Sequence, residues 1–314
     1  MAKLLITGAT GLLGSNLIRQ AVGSYAVTGW AHSAANIPLA CTVECFDLAK
    51  THLTLNRLRE LHPNVIVHCA AMTDVEQCER APAIARAVNV DATRTLAQWS
   101  AQHGVNFVFV STDSVFDGRY GHYCEDDQAA PVNEYARTKL AAEEIVRAYH
   151  PGALILRTNF YGWNVKAKPS LAEWMLDKLA RHEPLAAFAD VRFNPLFVND
   201  LAKIILDMIA RQAAGCFHAA ARSECSKYEF ALLIAEMFGL DAREVQTAQV
   251  EDFGFQARRP KSTTLAVDKI AQFLGREMPS VEEGLRSFKT LLDNGYAAAL
   301  KGKVATALAA SNAS

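Results

Sequence analysis

KLLITGATGLLG, residues 3–14, is the stretch of sequence that decides the fold. The apolar run Leu4-Leu5-Ile6 predicts a buried strand, and the glycines that follow at the spacing G-x-x-G-x-x-G predict a tight turn into a helix near 12–22. Such glycines let backbone N–H groups approach a pyrophosphate at the positive end of the helix. We therefore expect a dinucleotide to contact Gly8, Thr10, Gly11, Leu12, Leu13 and Gly14. An ordinary strand–helix turn without a ligand is the alternative.

The first half of the chain alternates short apolar runs with helical patterns. Strands are predicted at 26–30, 42–46, 65–68, 107–111 and 153–157, and helices at 53–61, 81–102 and 134–149. Runs without polar alternation, such as Val65-Ile66-Val67, are typical of parallel strands that are covered on both faces. The pattern predicts an α/β protein with a doubly wound parallel sheet, the Rossmann fold.

The pattern changes after about residue 160, where helical stretches near 171–181, 200–212 and 227–238 come with fewer clear strands. We expect a dinucleotide-binding Rossmann domain over residues 1–160, to which the chain returns near 194–212. A smaller, helix-rich C-terminal lobe over 161–193 and 213–295 would bind the substrate. Residues 296–314 are expected to form a tail.

The composition argues against several classes of protein. The 314 residues are 51% hydrophobic with a formal net charge of −1, so no electrostatic footprint for nucleic acid or an anionic membrane is expected. Met1-Ala2-Lys3 lacks the character of a secretory signal, and no apolar run is long enough to span a membrane. Seven scattered cysteines are typical of reduced thiols, which favours a cytoplasmic protein without a metal site. Cys41 and Cys45 could share a metal, but alternation along a buried strand explains them better.

The ends of later strands supply further cofactor candidates. The segment Trp30-Ala31-His32-Ser33 carries no carboxylate, whereas an acidic residue there usually holds the ribose 2′-hydroxyl of NAD. His32 and Ser33 could instead donate to a 2′-phosphate, so NADP is mildly favoured over NAD. The remaining candidates are Asp47, Leu48, Ala70 and Ala71.

Tyr135 and Lys139 stand four residues apart on a predicted helix, so they share one face. A nearby ammonium favours the phenolate and would lower the pKa of the tyrosine towards neutrality. Thr112 ends the fifth strand, and its hydroxyl could hold the oxygen of a substrate carbonyl. We therefore expect Thr112, Tyr135 and Lys139 to catalyse hydride transfer, with the tyrosine as proton donor and with both Tyr135 and Lys139 contacting the cofactor.

These motifs, in this order, resemble the extended short-chain dehydrogenases/reductases, and within them the dTDP-4-dehydrorhamnose reductase group. The resemblance rests on HCAAMTDVEQCE at 68–79, VSTDSVFDG at 110–118, PVNEYARTKLAAEE at 131–144 and ARRPKSTTLAVDKI at 257–270. It implies NAD(P)H-dependent reduction of a 4-keto-6-deoxy nucleotide sugar bound between the lobes, and a possible homodimer. It also implies substrate contacts from Asp113, Asn159, Phe160, Arg192, Arg258 and Arg259.

Some positions depart from the pattern of that group. Ser114 replaces the usual tyrosine, Phe160 stands where tryptophan is frequent, and the glutamates that hold magnesium in some members have no match. A dehydratase of the same superfamily would carry glutamate at position 114, which disfavours dehydration. An epimerase keeps the same three catalytic residues. The group also resembles a non-catalytic protein, the regulatory subunit of methionine adenosyltransferase, so both alternatives stay open.

Overall fold

A computed structural model describes residues 1–33, 40–166 and 168–301. The strands are β1 Lys3–Thr7, β2 Ala26–Ala31, β3 Thr42–Cys45, β4 Val65–His68, β5 Asn106–Val110, β6 Leu154–Thr158, β7 Phe160–Tyr161, β8 Leu185–Phe188, β9 Arg192–Phe193, β10 Leu196–Phe197, β11 Gly215–Ala219, β12 Cys225–Ser226 and β13 Val245–Ala248. The helices are α1 Leu12–Ala21, α2 Thr51–Leu61, α3 Val75–Arg80, α4 Pro82–Arg86, α5 Ala92–Gln102, α6 Glu134–Tyr149, α7 Leu171–Ala180, α8 Val198–Ala210, α9 Lys227–Phe238, α10 Asp268–Leu274, α11 Val281–Asp293 and α12 Tyr296–Leu300.

Seven parallel strands form the central sheet in the order β11-β6-β5-β4-β1-β2-β3. The strand order reverses between β1 and β4, and ligands of open α/β sheets bind outside the carboxyl ends of the strands at such a point. This topology confirms the predicted doubly wound Rossmann fold. It also brings the glycine turn after β1 next to the segment after β4.

Alternating side chains of each central strand belong to two different cores, because helices cover both faces of the sheet. Leu4 and Ile6 join one core together with α1 and α8, while Leu5 joins the other together with α2, α5 and α6. The same alternation separates Val108 from Phe109 on β5. Burial of both faces fixes the register, because a shift by one residue would exchange the two sets of side chains.

The smaller lobe is built from strand pairs and helices after β6. β8 pairs with β13 in parallel, β9 pairs with β12 in antiparallel orientation, and α9 packs against α7 and α11. An aromatic cluster fills its centre, with Tyr161 in edge contact with Phe230 and Phe288. Helices α7, α9 and α11 each begin with a capping box in which a serine and a glutamate satisfy each other's backbone N–H groups.

Two features of the chain differ from the sequence-based expectation. The single helix predicted at 81–102 is divided into α4 and α5 by a π-helical turn over Ala87–Asp91, and Pro82 begins α4. β11 lies in the central sheet, although residues 213–295 were expected in the smaller lobe; its short run around His218 gave little strand signal. The part of the expected tail at 302–314 lies outside the described residues.

Candidate functional site

The glycine turn after β1 leaves no room for side chains. A Cβ on Gly8 would lie 2.8 Å from the backbone nitrogen of Ala70, and Gly8 itself has a φ of +68°. A Cβ on Gly14 would collide with the carbonyl oxygen of Gly8, whereas one on Gly11 would lie 3.1 Å from that oxygen. The turn is thus a backbone-lined cradle at the N-terminus of α1, and it fits the pyrophosphate of a dinucleotide.

A cavity of about 1130 Å³ opens from this cradle along the carboxyl ends of the strands. It has the size and the position expected of a ligand site in an open α/β sheet. Most of the candidate residues line it, namely Gly8, Thr10, Gly11, Leu12, Leu13, Gly14, His32, Ser33, Asp47, Leu48, Ala70, Ala71, Thr112, Asp113, Tyr135, Asn159 and Phe160. One carboxylate oxygen of Asp47 also accepts the backbone N–H of Ala49, 3.0 Å away, so this residue caps its own turn.

Lys139 lies behind the wall of this cavity, on the buried face of α6. Its Nζ donates to the carbonyl oxygen of Val110 at 2.7 Å and lies 4.1 Å from the centre of the Phe109 ring. Burial lowers the pKa of the ammonium to about 8, although Glu143 and Cys69 oppose this shift. Near neutral pH the lysine is therefore a cation held at the end of β5.

Tyr135 differs from the sequence-based expectation in its titration. Burial raises the pKa of the phenol above its ordinary value, Asp113 and Cys78 add to this shift, and a hydrogen bond with Thr112 opposes it. Lys139 does not lower the pKa of Tyr135 as expected, because its ammonium is turned to the carbonyl of Val110. Tyr135 is consequently a neutral phenol at physiological pH, able to give a proton.

Asp113 is the centre of a hydrogen-bond network beside Thr112. Oδ1 accepts the hydroxyls of Thr112 at 3.1 Å and Ser114 at 3.2 Å. Oδ2 accepts the Asn159 amide at 2.9 Å and the Thr263 hydroxyl at 2.7 Å. Because Thr263 comes from the smaller lobe, Asp113 connects the two lobes at the floor of the site.

A buried ion pair supports α6 one turn after Lys139. Glu143 and Arg157 are almost fully buried and contact each other through two nitrogens of the guanidinium, with Nη2 to Oε2 at 2.9 Å. Burial would raise the pKa of Glu143, but Arg157, Ser111 and Arg147 hold it below its ordinary value. The pair fixes α6 against β6 and so sets the position of Tyr135 and Lys139.

Residues 2–293 match the family described as RmlD substrate binding domain. The chain belongs to this family. The resemblance to the dTDP-4-dehydrorhamnose reductase group is thereby confirmed at the level of the family. The match spans the central sheet, the site and the smaller lobe.

Several relatives and solved structures are similar to this chain over most of its length. A probable low-salt glycan biosynthesis reductase of Haloferax volcanii is 33% identical over 90% of this chain and 96% of its own length. The methionine adenosyltransferase 2 subunit beta of Xenopus laevis is 31% identical over 88% of this chain and 84% of its own. The crystal structure of a dTDP-4-dehydrorhamnose reductase from Bacillus anthracis in complex with NADP superimposes with a TM-score of 0.82, at 29% identity over 92% of this chain and 99% of the other.

The three arginines expected at the substrate lie outside the cavity lining among the described residues of this RmlD-family chain. Arg192 pairs with Glu224 at 2.9 Å and Glu229 at 3.4 Å. Arg259 pairs with Glu76 at 2.9 Å. The backbone of Arg258 accepts a hydrogen bond from the side chain of Asn133 at 2.9 Å. A role in binding a diphosphate stays a prediction for all three.

Sequence analysis missed several residues that line or support this cavity. Ala87 and Val88 in the π-helical turn line the cavity, and π turns are frequent at functional sites. Asn89 in the same turn holds the loop after β4 through the backbone N–H of Met72 at 2.8 Å, and its amide donates to Thr138 on α6. A π-helical turn has no sequence signature, so the sequence indicated only that Pro82 could interrupt the helix predicted at 81–102.

No metal cluster and no membrane helix occur in the described ranges. No group of three or more His, Cys, Asp or Glu side chains is placed to hold a metal ion within residues 1–33, 40–166 and 168–301. Over the same ranges, no helix combines the length and the apolar character needed to cross a bilayer.

Proposed function

We propose that this chain is an NAD(P)H-dependent reductase of a nucleotide sugar, with a 4-keto-6-deoxy sugar as substrate. One observation carries the proposal: the glycine cradle, Thr112 and Tyr135 line a single cavity, with Lys139 directly behind it. Phosphate cradle, proton donor and hydroxyl are the groups that reduction of a carbonyl needs. The dTDP-4-dehydrorhamnose reductase of similar structure binds NADP, which supports the same cofactor class here.

The side chains of the site have distinct tasks in this proposal. A bound nicotinamide cofactor would supply the hydride. Tyr135 holds the proton for the carbonyl oxygen of the substrate, and its raised pKa keeps that proton in place at neutral pH. The Thr112 hydroxyl, which donates to Asp113 in this structure, would turn to donate to the same oxygen when the substrate is bound. The ammonium of Lys139 would stabilise the phenolate that remains after proton transfer once it has turned from the carbonyl of Val110 towards Tyr135.

The nucleotide sugar would approach from the smaller lobe. Asp113, Asn159 and Phe160 line the cavity beside Thr112, so they are the proposed contacts for the sugar. In the proposed division of the chain, the central sheet binds the dinucleotide and the smaller lobe selects the sugar. A homodimer is proposed only from the resemblance to the reductase group.

NADPH is the proposed preferred cofactor. His32 and Ser33 line the cavity next to Trp30, and no carboxylate stands in that segment to repel a 2′-phosphate. The ratio of kcat/KM for NADPH to that for NADH tests this preference, and a protein that strongly prefers NADH would contradict it.

The activity is tested by following NADPH absorbance with a panel of 4-keto-6-deoxy nucleotide sugars. We expect oxidation of NADPH that depends on the sugar and falls by about 100-fold or more in the Tyr135→Phe variant. Absence of NADPH and NADH oxidation across the panel would overturn the proposal.

A non-catalytic subunit role is the second candidate, because a methionine adenosyltransferase 2 subunit beta is 31% identical to this chain. Retention of Thr112, Tyr135 and Lys139 around the cavity favours the reductase. Cofactor binding without turnover, together with firm binding of a methionine adenosyltransferase catalytic subunit, would favour the second candidate.

A further inference from the structure

Lys227, the first residue of α9, is a cation without an anionic partner. Its Nζ lies 3.0 Å from the centre of the buried Phe193 ring. No hydrogen bond or ion pair joins Nζ to any residue in the described part of the chain. A lysine at the N-terminus of a helix also faces the positive end of the helix dipole, so the position is unfavourable for folding.

Lys227 lies outside the cavity lining, but a series of hydrogen bonds connects its backbone to Asp113 in that lining. The backbone N–H of Lys227 donates to the carbonyl of Val191, just before β9. The carbonyl of Arg192 on β9 accepts the N–H of Thr263 at 3.1 Å, and the Thr263 hydroxyl reaches Asp113 at 2.7 Å. This connection agrees with the electrostatic effect of the Asp113 carboxylate, which raises the pKa of Lys227.

Asp113 does not neutralise this cation by direct contact. Both of its carboxylate oxygens accept hydrogen bonds from Thr112, Ser114, Asn159 and Thr263. Two arginines of this region are already paired: Arg192 contacts Glu224 and Glu229, and Arg259 contacts Glu76. Among the described residues, Lys227 thus has no anionic partner, whereas Arg192 and Arg259 each have one.

We propose that Lys227 binds a phosphate oxygen of the nucleotide-sugar substrate at the Asp113 end of the cavity. The inference rests on the proposed function, because it names a specificity-determining residue for the same site. The four-carbon stem is flexible, so the ammonium can leave the Phe193 ring for a phosphate. A phosphate would supply the charge-assisted hydrogen bonds that Nζ lacks.

Burial also makes this cation easier to deprotonate. It lowers the pKa of Lys227 to about 7, an effect that Asp113 and Cys225 oppose. The other charged groups near this turn are Arg192, Glu224 and Glu229. Because the ammonium is lost as the pH rises through 7, the affinity for a phosphate should fall over the same range. An arginine stays charged there and would abolish that fall.

The test compares Lys227→Met and Lys227→Arg with Lys289→Met. Lys289 also lies over a phenylalanine, Phe238, but its Nζ already donates to the carbonyl of Met237 at 2.9 Å. Calorimetric titration of the NADPH-loaded protein with dTDP and with UDP measures the affinity directly. Thermal unfolding with and without NADPH verifies that each variant folds and binds cofactor.

Of dTDP and UDP, the nucleotide that binds the wild type more tightly is used for the comparison. We expect Lys227→Met to lower the affinity for it at least tenfold, the scale of a lost charged hydrogen bond. Lys289→Met should leave that affinity unchanged, and Lys227→Arg should retain it and remove its decline between pH 6.5 and 8.5. Unchanged affinity in a folded Lys227→Met protein overturns the inference, as does failure of the wild type to bind either nucleotide. If Lys227→Met does not fold, the pH profiles of wild type and Lys227→Arg decide, and identical profiles overturn it.

The outcome is separable from that of the proposed function. Nucleotide binding that depends on Lys227, in a protein that reduces no sugar, would keep the inference and reject the reductase. Reduction of a sugar with an unchanged KM in Lys227→Met would keep the reductase and reject the inference.

Discussion

A substitution at Tyr135 should affect turnover without affecting cofactor binding. Tyr135→Phe keeps the ring but removes the hydroxyl, so we expect turnover to fall by about 100-fold or more, the usual scale of positioned acid catalysis. NADPH affinity should stay nearly unchanged. Steady-state kinetics and a fluorescence titration with NADPH measure the two quantities, and a variant that keeps full turnover would remove Tyr135 from catalysis.

The pKa of Lys139 leads to a prediction for the pH dependence of turnover. Burial lowers its pKa to about 8, so its charge is present below that pH and is lost as the pH rises through it. We expect kcat at saturating substrate to be flat near neutrality and to decline above about pH 8. Measuring kcat rather than KM excludes the proposed binding effect of Lys227, and a kcat that stays constant to pH 10 would contradict the role of Lys139.

At the scale of an element, the turn between β1 and α1 links the fold to cofactor binding. Gly11→Val places a side chain in the cradle, so NADPH should no longer raise the melting temperature of the protein. Gly152→Val is the matched control, because a Cβ there would meet only His150 atoms, at 3.8 Å. A folded Gly11→Val protein with an unchanged NADPH shift would show that this turn is not part of the cofactor site.

Helix α6 depends on its buried ion pair. Glu143→Gln leaves the buried guanidinium of Arg157 without its countercharge, so we expect a loss of about 3 kcal/mol in the free energy of unfolding. Glu144→Gln changes an exposed neighbour and should cost at most about 0.5 kcal/mol. Urea unfolding measures both, and equal effects would contradict the structural role of the pair.

The pH dependence of that ion pair has a defined sign. The pKa of Glu143 is depressed in the folded protein, so its contribution is complete above the ordinary carboxyl range and is lost as the pH falls. Wild type and Glu143→Gln should therefore converge in stability under acidic conditions.

For the molecule as a whole, the central sheet was predictable because each strand carries its own signal. β4 was predicted with the bounds that the structure has, and α6 begins at Glu134 and ends at Tyr149 as the helical pattern indicated. Continuous apolar runs identify strands that are buried on both faces. Many of the candidate residues chosen at strand ends line the cavity, because parallel strands end at one edge of the sheet.

Features that depend on tertiary contacts were beyond the sequence. The direction of the Tyr135 pKa depends on burial and on the turn of Lys139 towards Val110, which the spacing of the two residues does not reveal. The ion pair of Arg259 with Glu76 joins segments far apart in the chain. Lys227 carries no motif, and only the contacts of β9 and Thr263 bring it near Asp113.

The position of β11 in the sheet has a consequence for synthesis of the protein on the ribosome. β6 exposes its outer edge until Gly215–Ala219 has emerged, and by then β7 to β10 and α7 have already been made. An unpaired edge strand promotes association with other chains. A fragment ending at residue 160 should therefore aggregate when expressed alone, and a soluble, monomeric fragment in a sizing column would contradict this. The nascent chain thus has to complete part of its second lobe before its first lobe is protected.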